Sequence, residues 1–371
     1  MKRSLLVLPI VLAAAGTALA AACSDSSPLT APSSPAELSE GRAVGQIASM
    51  MTRNLYIGFD ADAAIAALAT GNPEIFGPVL QASIATLQQT DFVTRAQTFA
   101  AELALTRPDA VGLQEVYEIH ADLSGLGIPL TIDLDYLAIL QAALAAKHLP
   151  YVVVAKVINT DIRPLPGIQL LDQEVLLVDA TRVKVVGDVI ARTFQNNIGP
   201  IAPGVDKKAG YIVAPVKIAS VRVTLVTTHL ESDVGPGSYP LVSQLRAAQA
   251  AEIAAVLGST PKAIVVGDLN DVSGSLMYQV FQGAGFTDTW LALRPNDPGY
   301  TDSCFGPALS DPVANCQRRI DFIFARGFTG DEGLRGTEVR IGIEPWERRL
   351  GPAGLIWPSD HAGLVGYLSG H

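Results

Sequence analysis

Two apolar runs rich in β-branched residues, 211–218 and 221–228, are separated only by Ala219-Ser220. A two-residue connection allows a hairpin, so these runs must pair antiparallel. Further strand-like runs occur at 151–157, 174–178, 263–266 and 320–325. Helical spacing of apolar residues falls between them, at 92–105, 136–147 and 241–257. A chain that combines a forced hairpin with helix-separated strands fits two packed sheets covered by helices on their outer faces. Hydrophobic residues make up 49% of the chain, enough to fill such a core. No internal repeat breaks the chain into an array, so a single large domain is expected.

The start of the chain bears on where it works. Lys2 and Arg3 precede an uncharged stretch, residues 4–22, rich in Leu, Val and Ala. A basic region followed by so short an apolar core predicts an export signal over residues 1–22. Ala18-Leu19-Ala20 fits ordinary signal-peptidase cleavage, whereas Ala20-Ala21-Ala22-Cys23 resembles a bacterial lipoprotein box with Ala in place of the usual first Leu. The lipoprotein reading is favoured, because the Ser/Pro-rich stretch after Cys23 suits a tether over residues 23–43, with the domain at 44–371. Lipidation of Cys23 would leave Cys304 and Cys316 as a pair. Closing the loop between them contributes roughly 3 kcal/mol in the chain-entropy model. The expectation is an exported monomer, a cell-envelope lipoprotein or otherwise secreted, that meets a membrane only through a lipid anchor at Cys23.

Five stretches place acidic, amide or imidazole groups at the ends of apolar strands. They are Met-Thr-Arg-Asn54-Leu-Tyr, Gly-Leu-Gln-Glu115-Val, Thr-Thr-His229-Leu, Val-Val-Gly-Asp268-Leu-Asn270, and Arg-Arg-Ile-Asp321-Phe-Ile taken with Ser-Asp360-His361. Each alone has a plain structural reading. Asn54 and the Asp268-x-Asn270 pair suit turns, Glu115 a solvated strand cap, His229 a hydrogen-bonded structural residue, and Asp321 a salt bridge to Arg318 or Arg319. Gly267 would let backbone and substrate approach closely. Histidine is scarce, five in all with His371 terminal, so two at strand ends carry weight.

In this order the stretches resemble the metal-dependent endonuclease/exonuclease/phosphatase superfamily, from about Ala48 to the C-terminus. The resemblance implies an α/β (α+β) fold, a four-layer αββα sandwich of two mixed, largely antiparallel sheets. It also implies hydrolysis of a phosphate ester. On this reading Asn54, Glu115, Asp268 and Asp360 surround a metal, and Asp268 positions or activates the attacking water. Asn270 contacts the phosphate, His229 and His361 act at the scissile group, and Asp321 orients His361. Oxygen ligands of this kind suit Mg²⁺, with Mn²⁺ or Ca²⁺ as alternatives.

No phosphate loop, nucleophile elbow, His-Glu-x-x-His helix or Cys-x-x-Cys pair offers a competing chemistry. Charge speaks to the substrate. The chain has 26 basic and 36 acidic residues, net −10, and the export signal removes two of the bases. Residues 54–94 after their initial Asn, 115–146, 229–245 and 268–293 contain no Lys or Arg, and they follow four of the motif strands. Gripping duplex DNA takes several phosphate contacts. A small or lipid phosphate ester is therefore the favoured substrate, with weak or no duplex DNA binding. Two alternatives stay open: a DNase-type endonuclease, should Arg163, Lys207, Lys208 and Arg294 fold over the cleft, and a non-catalytic binding protein on the same fold. Residues 59–90 form an Ala-rich insertion, expected to be helical, that serves as a lid or specificity element or as extra packing.

Overall fold

The Ala219-Ser220 connection closes a hairpin: β11 (Gly210–Ile218) and β12 (Val221–His229) pair antiparallel along their length. Ala219 takes the left-handed conformation, φ 52°, that the turn needs. The structure is a computed structural model describing residues 46–233, 238–331 and 333–369. The expected signal, the tether with Cys23, and His371 lie outside the described residues.

Two sheets form the middle of the molecule. The first runs β16 (Gly336–Ile341), β17 (Gly363–Ser369), β1 (Gln46–Asn54), β2 (Ala110–Gln114), β6 (Ile168–Asp179), β5 (Tyr151–Ile162), β10 (Val205–Lys207), β9 (Gly199–Ala202). β3 (Glu118–Asp122) and β4 (Thr131–Asp135) extend it beside β6. The second runs β14 (Thr287–Asp288), β15 (Asp321–Arg326), β13 (Ala263–Asp268), β12, β11 and β7 (Val183–Val185), with β8 (Ile190–Thr193) also on β11. Among the described residues β1–β2 and β12–β13 are the parallel pairs, and the others are antiparallel.

Three apolar layers hold this stack together. Met50, Leu176, Ile212, Val266 and Ile323 fill the space between the sheets. On the outer face of the first sheet, α3 (Phe92–Thr106) and α4 (Tyr136–Ala146) bury Phe99, Leu103, Leu140 and Leu144. On the second, α5 (Tyr239–Leu257) and α6 (Leu276–Gly283) bury Ile253, Leu257, Met277 and Phe281. Each such side chain stabilises by about 1.5–3 kcal/mol. The outcome is the αββα sandwich. The insertion is two helices, α1 (Ala61–Ala69), capped by Asp60, and α2 (Pro73–Thr90), capped by Asn72 with Pro at its first position.

β5 and β6 are 12 residues each, longer than their apolar runs. Their polar stretches, Asn159-Thr160-Asp161 and Asp172-Gln173, meet at a register shift, where Asn159, Thr160 and Asp172 leave the ladder. Asn159, Thr160 and Asp172 border the cleft described next. Gly112 marks a close approach of the sheets, since a Cβ there would sit 2.3 Å from the Thr227 hydroxyl. Cys304 and Cys316 form a disulfide.

Candidate active site

Strand register lines up the polar strand ends in two facing rows. In the second sheet His229 lies opposite Asp268, and Asp268 opposite Asp321. In the first sheet Asn54 lies opposite Gln114, and Glu115 follows directly. Leu113 pairs with Val175, which brings Glu174 to the same end. Asp360 and His361 enter from the loop before β17, whose Leu364 pairs with Thr52. Residues far apart in sequence thus converge on one edge of the sandwich.

Asn54 ties the rows together. Its side-chain N–H group donates to Glu115 at 2.9 Å and to Asp268 at 3.2 Å, while its oxygen accepts the Tyr56 backbone N–H at 2.8 Å. The backbone donor fixes which way the amide faces. Asn54 thus holds two carboxylates in place, and its oxygen, with one lone pair engaged by the backbone, keeps a second for the expected contact to a metal or its water. Glu115 is further fixed by the Ile57 backbone N–H, 2.9 Å from its second oxygen. Tyr56, Glu115 and Asn270 all have φ between 53° and 58°. Left-handed backbone at non-glycine residues is costly, of order 1–3 kcal/mol where strained, and clusters at functional sites.

His361 donates from Nδ1 to Asp321 at 2.9 Å, with Asp302 3.6 Å from its other nitrogen. Burial alone would pull its imidazole pKa down, but Asp321, Asp360 and Asp268 outweigh that and hold it well above the usual value. Asp321 thus faces His361, while Arg318 pairs with Asp302 and Arg319 with Asp288. The alternative of an Asp321–arginine bridge is set aside by that geometry. Asn270 donates to the His229 ring at 2.9 Å and to the Leu230 carbonyl at 2.9 Å. The Asn270 backbone N–H also bonds Asp268 at 3.0 Å. The carboxyl of Glu115 is pushed up to about 7 by burial and by Asp360. Burial raises Asp268 and Asp360 as well.

The cleft has a volume of about 380 Å³. Of the four bases left open as folding over the cleft, Lys207 and Lys208 line it, joined by Arg318. Arg163 instead pairs with Asp161, and Arg294 donates to the Glu338 carbonyl. Gly267 serves the sheet rather than a substrate, since a Cβ there would meet the Thr228 carbonyl at 1.9 Å.

The structure also adds residues that sequence reading passed over. Asp172 and Glu174 sit two apart on β6, so they face the same side of the strand, and Asn159 of β5 donates to both. Glu174 lies 3.8 Å from the Nδ1 of His229. Two acids at i and i+2, just before the apolar run 175–178, were the available signal. Asp302 had none, as it belongs to a loop whose course depends on the disulfide and on pairing with Arg318.

The sequence model of the Endonuclease/Exonuclease/phosphatase family matches residues 86–361. The chain belongs to that family. No curated protein sequence matches it. Among solved structures, an endonuclease/exonuclease/phosphatase from Beutenbergia cavernae is 19% identical with a TM-score of 0.56, the match covering 87% of this chain and 72% of that one. A family protein from Bacteroides thetaiotaomicron is 14% identical with a TM-score of 0.55, covering 89% and 100%. The catalytic domain of human Nocturnin, solved with a bound sulfate anion, is 16% identical with a TM-score of 0.51, covering 88% and 95%. At these identities the likeness is one of fold.

Membership of the endonuclease/exonuclease/phosphatase family makes this a hydrolase of phosphate esters that depends on a divalent metal. The residues present fit such an ion. Asp268 lies within 4.8 Å of ligand atoms of Asp321 and His361, and the Asn54 amide sets the Glu115 carboxylate beside it. One oxygen each of Asp321, Asp172 and Glu174 is buried without a hydrogen-bond partner. Surplus buried carboxylate of this kind suits a hard cation.

Proposed function

We propose that this protein is an exported, Mg²⁺-dependent phosphoesterase that hydrolyses a small or lipid phosphate ester by in-line attack of water. The observation that carries the reading is the Asn54 side chain, which holds Glu115 of one sheet and Asp268 of the other within hydrogen-bond reach. Glu115 and Asp360 would hold the metal, with Asp268 beside them, and Mn²⁺ or Ca²⁺ are alternatives to Mg²⁺. When bound, the ion would neutralise phosphate oxygens.

The chain's own residues supply the rest. Asp268, fixed from two sides by Asn54 and the Asn270 N–H, would take a proton from water. Asn270 and His229 would bind the phosphate. His361, whose imidazole pKa the acids around it raise, would stabilise developing charge or protonate the leaving group, with Asp321 orienting its ring. Lys207, Lys208 and Arg318 add positive charge to the walls. Three bases among many cleft acids still favour a compact ester over a long polyanion.

Export is supported by Lys2, Arg3 and the apolar stretch after them, and by the disulfide, which suits an oxidising compartment. Cys23→Ala should release a lipid-anchored protein into the soluble fraction. A mature chain beginning at Ala21 would instead establish ordinary secretion. The function itself is tested by a Mg²⁺-dependent panel of plasmid DNA, sphingomyelin, a phosphoinositide, and chromogenic mono- and diesters. Turnover of a small or lipid ester, lost with chelator and exceeding plasmid nicking, is expected. Efficient plasmid degradation at about 150 mM salt, where multi-phosphate contacts weaken, with small esters untouched, would restore the nuclease alternative. No hydrolysis and no divalent-ion binding would favour the binding-protein reading.

A further inference from the structure

Beside the polar cleft lies a second space of opposite character. It is a chamber of about 90 Å³ between the insertion helices and the face of β3, β4 and β6, with walls aliphatic or aromatic except for Ser83. Helices α1 and α2 turn Ile65, Leu68, Phe76, Leu80 and Ile84 toward it, and all five remain only half-buried. An insertion serving the core alone would bury that face. By contrast, Leu87 at the end of α2 is 6% exposed.

The two spaces share walls. Ile57, Phe59, Ala61, Ile65 and Ile162 line both the cleft and the chamber. Ile57 makes the link close, because its backbone N–H holds Glu115 at 2.9 Å and its carbonyl accepts the Tyr136 hydroxyl at 2.6 Å. One residue therefore anchors the acidic floor and forms part of an apolar compartment. A molecule that used both would need a charged ester at one end and a hydrocarbon segment at the other.

We infer that the chamber receives an aliphatic chain carried by the substrate, so that the protein acts on an amphiphilic phosphate ester with its tail beneath α1 and α2. This rests on the phosphoesterase reading of the cleft. Burying a hydrocarbon chain in a compartment without polar walls rewards each added methylene until the space is full. The insertion then selects substrates by their apolar part, while the chemistry of hydrolysis stays on the strand ends.

The test uses the full chain with Mg²⁺ and p-nitrophenyl n-alkyl phosphodiesters from methyl to octyl. KM should fall roughly fourfold per methylene over the first few carbons and then level off, with kcat nearly constant. Leu68→Trp, which fills the chamber without touching the cleft, should flatten the series and leave methyl-ester turnover unchanged. Phe76→Ala should move the levelling-off to longer chains, and it keeps the question answerable if the tryptophan variant misfolds. Calorimetric binding of non-hydrolysable n-alkylphosphonates runs in parallel. A flat series in the wild type, or an equally steep one in a folded Leu68→Trp protein, overturns the inference. Hydrolysis of methyl ester with a flat series would spare the phosphoesterase reading and sink only the tail site. Phosphonate affinity that climbs with chain length, without hydrolysis of any ester, would do the reverse. A dependence that emerges only after residues before Gln46 are removed would make the chain's own N-terminal segment the occupant and overturn the inference.

Discussion

Arg53 and Glu102 meet at 3.1 Å between β1 and α3, both side chains almost wholly buried. Two strands away Asp172 and Glu174 are also buried, yet they face each other's negative charge with Asn159 between them. The first pair is balanced, with both guanidinium-to-carboxylate bonds made and a third donated to the His361 carbonyl. Burial raises Glu102 as well as Asp172 and Glu174, so what separates the two sites is the guanidinium bonded to Glu102 against the single neutral amide shared by Asp172 and Glu174. Arg319 and Asp288 repeat the balanced arrangement elsewhere in the second sheet. Taking a charge out of water is costly unless a partner compensates. Balanced buried charge therefore serves the fold, whereas surplus buried charge at the cleft is what the proposed cation would offset.

The largest effect that would break this contrast is catalytic. His361→Ala, Asp268→Asn and Glu115→Gln should each cut turnover of the best substrate by about 10²–10⁴-fold. Stability should change by no more than about 2 kcal/mol in each. Wild-type turnover in His361→Ala would remove the basis for the mechanism. Arg53→Met comes next: it leaves Glu102 buried without its partner and should cost about 3–5 kcal/mol in urea unfolding. A cost near zero would show that the balanced pair is not structural.

Adding Mg²⁺ should stabilise the wild type by about 2.7 kcal/mol at a hundredfold excess over its dissociation constant. Thermal unfolding of Glu115→Gln should lose that gain. If the variant keeps the full gain, the surplus acids do not hold the ion through Glu115. The smallest effect concerns a buried acid that avoids the problem by keeping its proton. Glu338 bonds Thr289 and is held up at about 8 from 4.5, chiefly by burial. Its folded state binds the proton more tightly, so its contribution is full below pH 4.5 and is lost as pH rises to about 8. Glu338→Gln should flatten the stability profile across that window, and an unchanged slope would assign the proton elsewhere.

Much of this arrangement was legible in the sequence. The Ala219-Ser220 gap forced one antiparallel pair, and 3.6-residue spacing located α3, α4 and α5. Asn54, Glu115, His229, Asp268, Asn270, Asp321, Asp360 and His361 all stood at or beside strand ends, where register could bring them together. What stayed hidden depends on contacts between distant segments. The polar stretches of β5 and β6 interrupt their apolar runs and meet at a register shift, so the full length of the two strands shows only once they pair. Lys207 reaches the cleft from β10, a strand of three residues, too short to read by periodicity. The role of Gly267 could not be assigned without knowing how close Thr228 lies.

One bond carries a consequence for how activity emerges. Arg53 donates to the carbonyl of His361 at 2.6 Å, across 308 residues of sequence. β17, which follows His361, lies inside the first sheet between β1 and β16 and cannot be added as an afterthought to an edge. The catalytic edge therefore comes into being only when the last strand slots against the first, a high-contact-order event that is intrinsically slow. During refolding, helix signal should recover ahead of turnover, and a chain truncated before Gly363 should form secondary structure without ever becoming an enzyme.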